Sequence, residues 1–214
     1  MSERRPIASR DTKLAARVAR SLADRGVSPN HISQASMVFA SVAGVAFWMS
    51  GGAEGALYVF CLLVAALGCQ LRLLCNLFDG MVAVEGGRGA PDGPFWNEAP
   101  DRVADVFILV GMGMATGNAS LGWAAAALAI GTAYVRELGS AQGLSADFRG
   151  PMAKPQRMAV ATGAAILAIF VPLFGGWPVL ELALMIIALG TAATILRRSW
   201  GMIAALKSAS RDAE

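Results

Sequence analysis

The chain has 214 residues, of which 56% are apolar and only 15% are charged, and its formal net charge is +3. Soluble domains carry about 25% charged residues, so this composition argues against a soluble protein and favours an integral membrane protein. The basic excess alone would suit nucleic acid, but the basic residues are divided among alternate connections between apolar segments. We therefore expect no nucleic-acid partner.

The N-terminal segment is basic and amphipathic. Residues 11–25 place Leu14, Val18 and Leu22 on one helical face. The other side carries the charged residues Lys13, Arg17, Arg20 and Asp24. The segment is too short and too charged to cross a bilayer, so we expect an interfacial helix on an anionic inner leaflet. The alternative is an ordinary amphipathic helix that packs on protein.

Six apolar segments follow, each near the length that a helix needs to cross a bilayer core. They are residues 35–51, 56–78, 103–117, 121–138, 157–174 and 178–196. The sequence therefore predicts an all-α polytopic membrane protein. Its six-helix transmembrane domain would cover residues 34–198, between an N-terminal region, 1–33, and a C-terminal tail, 199–214.

The basic residues predict the orientation of the bundle. All 18 Lys and Arg fall in, or at the ends of, alternate connections, and the connections near 50–55, 117–121 and 174–178 contain none. By the positive-inside rule, both termini and the acidic loop 79–102 face the cytoplasm. We expect an inner-membrane protein, and any site formed by this loop would face the cytoplasm.

The hydrophilic stretch 76–105 is the main candidate for a functional site. Asn76 and Asp79 lie three residues apart on one helical face, and Asn97, Asp101 and Asp105 lie four residues apart on another. Acids near a bilayer are costly and indicate function. Carboxylate and amide oxygens are ligands that Mg²⁺ or Mn²⁺ accepts. The alternative is solvation of helix ends, since the helix dipole alone favours Asp101 near a helix start.

This stretch resembles the signature of the CDP-alcohol phosphotransferases, which reads D-x2-D-G-x2-A-R-x8-G-x3-D-x3-D. The chain reads Asn76-x2-Asp79-Gly80-x2-Ala83-Val84-x8-Gly93-x3-Asn97-x3-Asp101. The spacing is the same over 26 positions, and five of the eight signature residues are identical. The short N-terminal helix, the segment 27–33 and the six apolar segments are similar to the family as well.

The resemblance implies displacement at phosphorus. A CDP-linked donor, CDP-diacylglycerol or another CDP-alcohol, would bind at a site holding two metal ions, Mg²⁺ or Mn²⁺. An alcohol acceptor would attack, CMP would leave, and Asp101 would take the proton of the alcohol. The resemblance also implies a homodimer in contact with membrane lipids.

The resemblance assigns roles to most of the signature positions. The metal ligands, with Asp105 as an added acid on the face of Asp101, would be Asn76, Asp79, Asn97, Asp101 and Asp105. The small residues that let cytidine approach the backbone would be Gly80, Ala83 and Gly93.

The chain departs from the signature at three positions. Asn76 and Asn97 replace acids, and Val84 replaces the signature arginine. Amides bring no charge, so metal binding should weaken, and Glu98 and Asp105 are nearby acids that could compensate. Three outcomes follow: a rearranged site, a site with one metal ion, or a non-catalytic protein that binds lipid or nucleotide. A transporter is the weakest alternative, because the sequence has no convincing inverted repeat.

A second basic group lies between the fourth and fifth predicted spans. Arg136 ends one span, and Lys154 and Arg157 begin the next. The resemblance implies that these residues bind phosphate or substrate, for which guanidinium and ammonium groups are suited. The alternative is positive-inside anchoring.

Overall fold

The computed structural model describes residues 12–85, 87 and 91–211, and within them the chain is almost entirely helical. The elements in chain order are α1 (Lys13–Asp24), α2 (Pro29–Ser50), α3 (Gly55–Glu85), α4 (Gly93–Ala115), α5 (Ala119–Ala141), α6 (Lys154–Phe170), β1 (Leu173–Phe174), β2 (Trp177–Pro178) and α7 (Val179–Arg211). The strands form one antiparallel hairpin between α6 and α7. The predicted all-α class is confirmed, and this hairpin is the addition to it.

Three described helices are long and apolar enough to cross a membrane: Pro29–Ser50, Gly55–Val84 and Val179–Ala209. The other three predicted spans coincide with α4, α5 and α6, and their crossing stays a prediction. Helix α6 ends at Phe170, four residues before the predicted end of its span. Helix α7 continues to Arg211, so the predicted tail is helical over its described part.

Helix α1 is amphipathic as predicted, but a different face of it is buried. Thr12 caps its start by accepting a hydrogen bond from the Ala15 amide, and Gly26, with φ of 79°, follows its end. Ala15, Ala19 and Ala23 pack in a cluster with residues of α3, whereas Leu14 is 69% exposed. Alanine is buried here because its small side chain lets two helices approach closely. The position of α1 at a membrane surface stays a prediction.

Helix α2 packs against α3 on one side and α4 on the other, and glycines set its distance from α4. A Cβ atom at Gly44 would overlap the carbonyl of Phe107, and one at Gly111 would overlap the carbonyl of Gly44. The two backbones are therefore in direct contact, as is typical where small residues face each other between membrane helices.

The middle of the bundle is apolar, and its charged end is equally buried. Phe47, Leu62, Ile108 and Leu184 are completely buried in the core that α2, α3, α4 and α7 share. Towards the starts of α2, α4 and α6, the buried residues become polar or charged: Ser33, Arg72, Asp79, Asp101, Asp105 and Arg157. The fold thus brings the end of α3 to the starts of three other helices.

Candidate active site

Three helices contribute a set of buried or half-buried polar and charged side chains, which we call the charge cluster: Arg72 and Asn76 from α3, Asp101 and Asp105 from α4, and Lys154 and Arg157 from α6. The two residues that each helix contributes lie three or four positions apart. Its two side chains therefore share one face of their helix, and the three faces meet. Within the described residues, every member of the cluster bonds to a member from another helix.

Asp101 lies at the centre of the charge cluster. One of its oxygens accepts hydrogen bonds from the Asn76 amide and, at 3.4 Å, from the Arg72 guanidinium. The other oxygen pairs with the Lys154 ammonium group. The side chain is 7% exposed, so these contacts are shielded from water. Asn76 and Asp101 lie together, as the sequence predicts. The Asp101 carboxylate is also paired with the side-chain cations of Arg72 and Lys154.

Asp105 is buried more deeply and joins two arginines. Its oxygens accept from Arg72 at 3.0 Å and from Arg157 at 2.6 Å, and its side chain is 1% exposed. Sequence reasoning assigned Asp105 to a metal and Arg157 to phosphate, whereas in the structure the two form an ion pair. The cost of burying each charge is offset by its partners.

Asp79 lies beside the charge cluster and contacts α2. Its carboxylate accepts from the Ser33 hydroxyl at 2.6 Å and from the Gly80 amide at 2.5 Å. No described cation forms an ion pair with Asp79. Ser33 was not singled out from the sequence, because a serine near a helix start is also an ordinary polar residue there.

The other signature positions lie further out. Asn97 is exposed and donates to Glu98 at 3.4 Å, so in this arrangement it does not join Asp101. Gly80 and Ala83 are half-buried, and a Cβ atom at Gly93 would meet open space. Gly93 therefore leaves room for a ligand, and the cytidine-binding role of Gly80, Ala83 and Gly93 stays a prediction.

Arg136 is separate from Lys154 and Arg157. It pairs with Glu98 and with Glu137, at 2.7 Å, and lies 5.3 Å from the centre of the Phe148 ring. It lines a cavity of about 640 Å³ together with Phe148, Arg149 and Arg198. The Arg149 guanidinium donates to Asp147 and, with smaller contributions from other groups, holds the pKa of that carboxyl below its ordinary value. The predicted phosphate-binding residues thus divide into two groups.

Arg72 and Arg198 are the functional candidates that sequence reasoning missed. Arg72 is completely buried, and Arg198 donates to the carbonyls of Arg149 at 2.9 Å and Thr132 at 2.8 Å. Arg72 had a signal in the sequence, because a charged residue within an apolar span is costly and usually functional. Arg198 had none, since positive-inside anchoring accounts for a basic residue after a span.

Three buried donors in the charge cluster have no partner among the described residues: Arg72 Nε, Arg72 Nη1 and Arg157 Nε. Leaving a buried N–H unpaired costs about 1–3 kcal/mol. Such donors would be satisfied by an acceptor such as a water molecule or a phosphate oxygen. The charge cluster therefore has unpaired hydrogen-bond donors but few free hydrogen-bond acceptors.

The side-chain oxygens that could ligate a metal fit one divalent cation and do not fit two. Among the described residues, no three acidic, histidine or cysteine side chains lie together as a metal-binding group. Both oxygens of Asp101 and of Asp105 are engaged with protein cations. The Asp79 carboxylate and the Asn76 side-chain oxygen remain, one turn apart on α3, and both are oxygens that a hard cation accepts.

The fold is similar to that of phosphatidylinositol phosphate synthase (PgsA1) of Mycobacterium tuberculosis. The structure of that enzyme with CDP-DAG bound matches with a TM-score of 0.72 and 20% identity, over 89% of this chain and 94% of that one. Its complex with manganese and citrate gives a TM-score of 0.72 and 19% identity, over 88% of each chain. Its apo form gives 0.66 and 19%, over 85% and 92% of the two chains.

No family model and no curated protein sequence matches the chain. The similarity is therefore one of structure, and it extends over nearly the whole of both chains. The apolar helices and this likeness agree on the class of protein. The chain is a helical integral membrane protein with the fold of the CDP-alcohol phosphatidyltransferases, the family whose signature its motif resembles.

Proposed function

We propose that the protein is a membrane transferase that moves a phosphatidyl group from CDP-diacylglycerol, or another CDP-alcohol, to an alcohol acceptor and releases CMP. The observation that carries the proposal is the meeting of Asn76, Asp101 and Lys154. The signature spacing and the basic group predict both an acid and cations at this point. A neighbour of the same fold binds CDP-DAG.

The reaction forms one bond and breaks another at the same phosphorus atom. The acceptor hydroxyl oxygen attacks the phosphorus that carries the diacylglycerol, and the anhydride bond to CMP breaks. Asp101 is the proposed acceptor of the hydroxyl proton. Lys154 has to share its charge with the incoming phosphates, and this frees one oxygen of Asp101 to act as a base.

The proposed metal is Mg²⁺ or Mn²⁺, held by Asn76 and Asp79 beside Asp101, and Asn97 is the signature position least suited to join them. A divalent cation there supplies positive charge to the phosphate oxygens of the donor. Lys154 and Arg157 supply further charge, and the burial of Arg157 makes its contact with phosphate stronger than it would be in water. Gly80, Ala83 and Gly93 are the proposed contacts of cytidine.

We assign the acceptor to the cavity that Arg136 lines. The cavity is large enough for a polar alcohol, and Arg136, Arg149 and Arg198 contribute guanidinium groups to its wall. Glu98 connects it to α4, because Arg136 and Arg102 both bond to that carboxylate. An acceptor that carries a phosphate would match this charge best.

The proposal includes the arrangement in the membrane. All six long helices cross the bilayer, with both termini and the charge cluster on the cytoplasmic side of an inner membrane. The diacylglycerol chains of the donor lie among membrane lipids while its nucleotide reaches the charge cluster. The homodimer that the family resemblance implies is part of the same proposal.

A second candidate function is a non-catalytic protein that binds lipid or nucleotide. One observation favours it: Asp101 is bonded to Arg72, Asn76 and Lys154, so its ability to accept a proton is reduced. The two amides at signature acid positions point the same way. Binding of a CDP-linked lipid would still be expected, because the cations of the charge cluster attract phosphate.

The deciding experiment measures CMP release by the purified protein in lipid nanodiscs. CDP-diacylglycerol is supplied with Mg²⁺ or Mn²⁺ and a panel of alcohols, including phosphorylated ones. We expect release that depends on one acceptor and is lost in Asp101→Ala. Binding of the donor without release with any acceptor would favour the second candidate, and neither binding nor release would contradict both.

A further inference from the structure

We propose that the Lys154 ammonium group replaces the second of the two divalent cations that the family resemblance implies. The charge cluster then works with at most one metal ion and a fixed set of side-chain cations. This inference rests on the proposed function only in taking the ligand to be a phosphate-bearing donor. The ion pairs on which it is built do not depend on that function.

The position of Lys154 is the first reason. Its ammonium group bonds to Asp101, the one signature acid retained on α4, and Asp101 also bonds to Asn76, which lies one turn from Asp79, the acid retained on α3. A metal ion shared between the two helices would need these same two carboxylates. Lys154 comes from the first residue of α6, where a proline follows, so the helix start holds its backbone in place.

The charge balance is the second reason. Asp79, Asp101 and Asp105 carry three negative charges and Arg72, Lys154 and Arg157 carry three positive charges, so the formal charge of the six side chains is zero without any metal ion. Acids at positions 76 and 97 would have added two negative charges. Their absence removes the charge that a second divalent cation would neutralise, and a buried excess of positive charge would be costly.

The unpaired donors are the third reason. Arg72 and Arg157 leave three buried nitrogen atoms without an acceptor in the described residues. A second cation would repel these guanidinium groups, whereas a phosphate oxygen would satisfy them. The charge cluster is therefore arranged for an anion, and it already holds the cation that a second metal would provide.

The test is titration of the purified protein in nanodiscs with Mn²⁺ alone, followed by the electron paramagnetic resonance signal of free Mn²⁺. We expect wild type to bind at most one ion per chain. Lys154→Met should bind one ion more, or bind Mn²⁺ at least about tenfold more tightly, because a positive charge beside the carboxylates has been removed. Lys154→Arg keeps that charge and should behave as wild type.

Lys207→Met is the matched control, because Lys207 is exposed on α7 and bonds to no member of the charge cluster. It should leave Mn²⁺ binding unchanged. Lys154→Gln is measured in parallel, so that a variant with a polar replacement is available if Lys154→Met fails to fold, as judged by thermal unfolding and gel filtration.

The outcomes separate this inference from the proposed function. Two Mn²⁺ ions per wild-type chain would overturn the replacement by lysine, and so would a Lys154→Met or Lys154→Gln variant that folds and binds Mn²⁺ as wild type does. If wild type releases no CMP but Lys154→Met gains an ion, the inference stands and the transferase activity fails. If wild type releases CMP and binds two ions, the activity stands and the inference fails.

Discussion

Single residues determine whether the charged end of the bundle is stable. Asp105 is the shared partner of Arg72 and Arg157, and all three side chains are almost completely shielded from water. Removing one member of such a group leaves the others charged and buried. The stability of the fold and the chemistry of the site therefore depend on the same residues.

The first prediction concerns this shared partner. Asp105→Asn should destabilise the protein by about 3–5 kcal/mol, because two buried guanidinium groups lose their counter-ion. Thermal unfolding in detergent measures the effect. Asp147→Asn removes the partner of the exposed Arg149 and should leave the unfolding temperature unchanged. Equal effects of the two variants would show that burial of the Asp105 ion pairs does not matter.

The second prediction separates the roles of the two retained signature acids. Asp101→Asn should still bind CDP-diacylglycerol but lose about 10²–10⁴-fold in rate, because an amide does not accept the proton of the alcohol. Asp79→Ala should lose the part of donor binding that depends on Mg²⁺ or Mn²⁺, as measured by isothermal titration. If Asp101→Asn turned over at the wild-type rate, Asp101 would not be the base.

At the scale of whole elements, α1 shows how a short charged helix is attached to the bundle. Its alanine face packs on α3 through Ala15, Ala19 and Ala23, while its basic residues stay outside. The buried residues on the α1 side of this contact are all alanines. One large or charged replacement on that face should therefore release the helix.

The third prediction tests this attachment. Ala19→Glu should speed trypsin cleavage after Arg17 and Arg20, because Ala19 is 1% exposed and a buried carboxylate there would have no partner. Ser21→Glu is the matched control, since Ser21 is exposed on the same helix and also adjoins Arg20. Faster cleavage in both variants would mean that the added charge itself, and not the loss of packing, exposes α1.

At the scale of the whole molecule, the fourth prediction concerns the orientation in the membrane. In a cysteine-free background, Ala90→Cys and Ser208→Cys should react with an impermeant thiol reagent only from the cytoplasmic side. Gly52→Cys, in the turn between α2 and α3, should react only from the other side, because that connection carries no basic residue. Labelling of Ala90→Cys from outside would reverse the proposed topology.

The sequence predicts the helices and the approach of Asn76 to Asp101, because both follow from local patterns. Apolar length is a local property, and so is the spacing that puts Asn76 on one helical face and Asp101 on another. The pairing of Asp105 with Arg157 is not local, because it depends on how α4 and α6 pack. The same holds for Arg72 and Ser33, whose carboxylate partners lie 29 or more residues away along the chain.

The direction in which a polar side chain turns is also beyond the sequence. Asn97 has the spacing of a ligand, yet at the start of α4 it is exposed, where Glu98 and water compete for it. On α1, hydrophobicity favours burial of Leu14, but close approach to α3 favours alanine, and packing decides the outcome.

The contact between Gly44 and Gly111 has a consequence for the charged end of the bundle, some distance from it. Gly111 lies about 15 Å along α4 from Asp101, given the rise of a helix per residue. A methyl group at this contact would push α2 and α4 apart at this point. A small tilt of α4 at this contact becomes a larger displacement near the start of the helix, so Asp101 would move away from Asn76 and Lys154. The alignment of the acids and cations therefore depends on the close packing of α2 and α4 at Gly44 and Gly111.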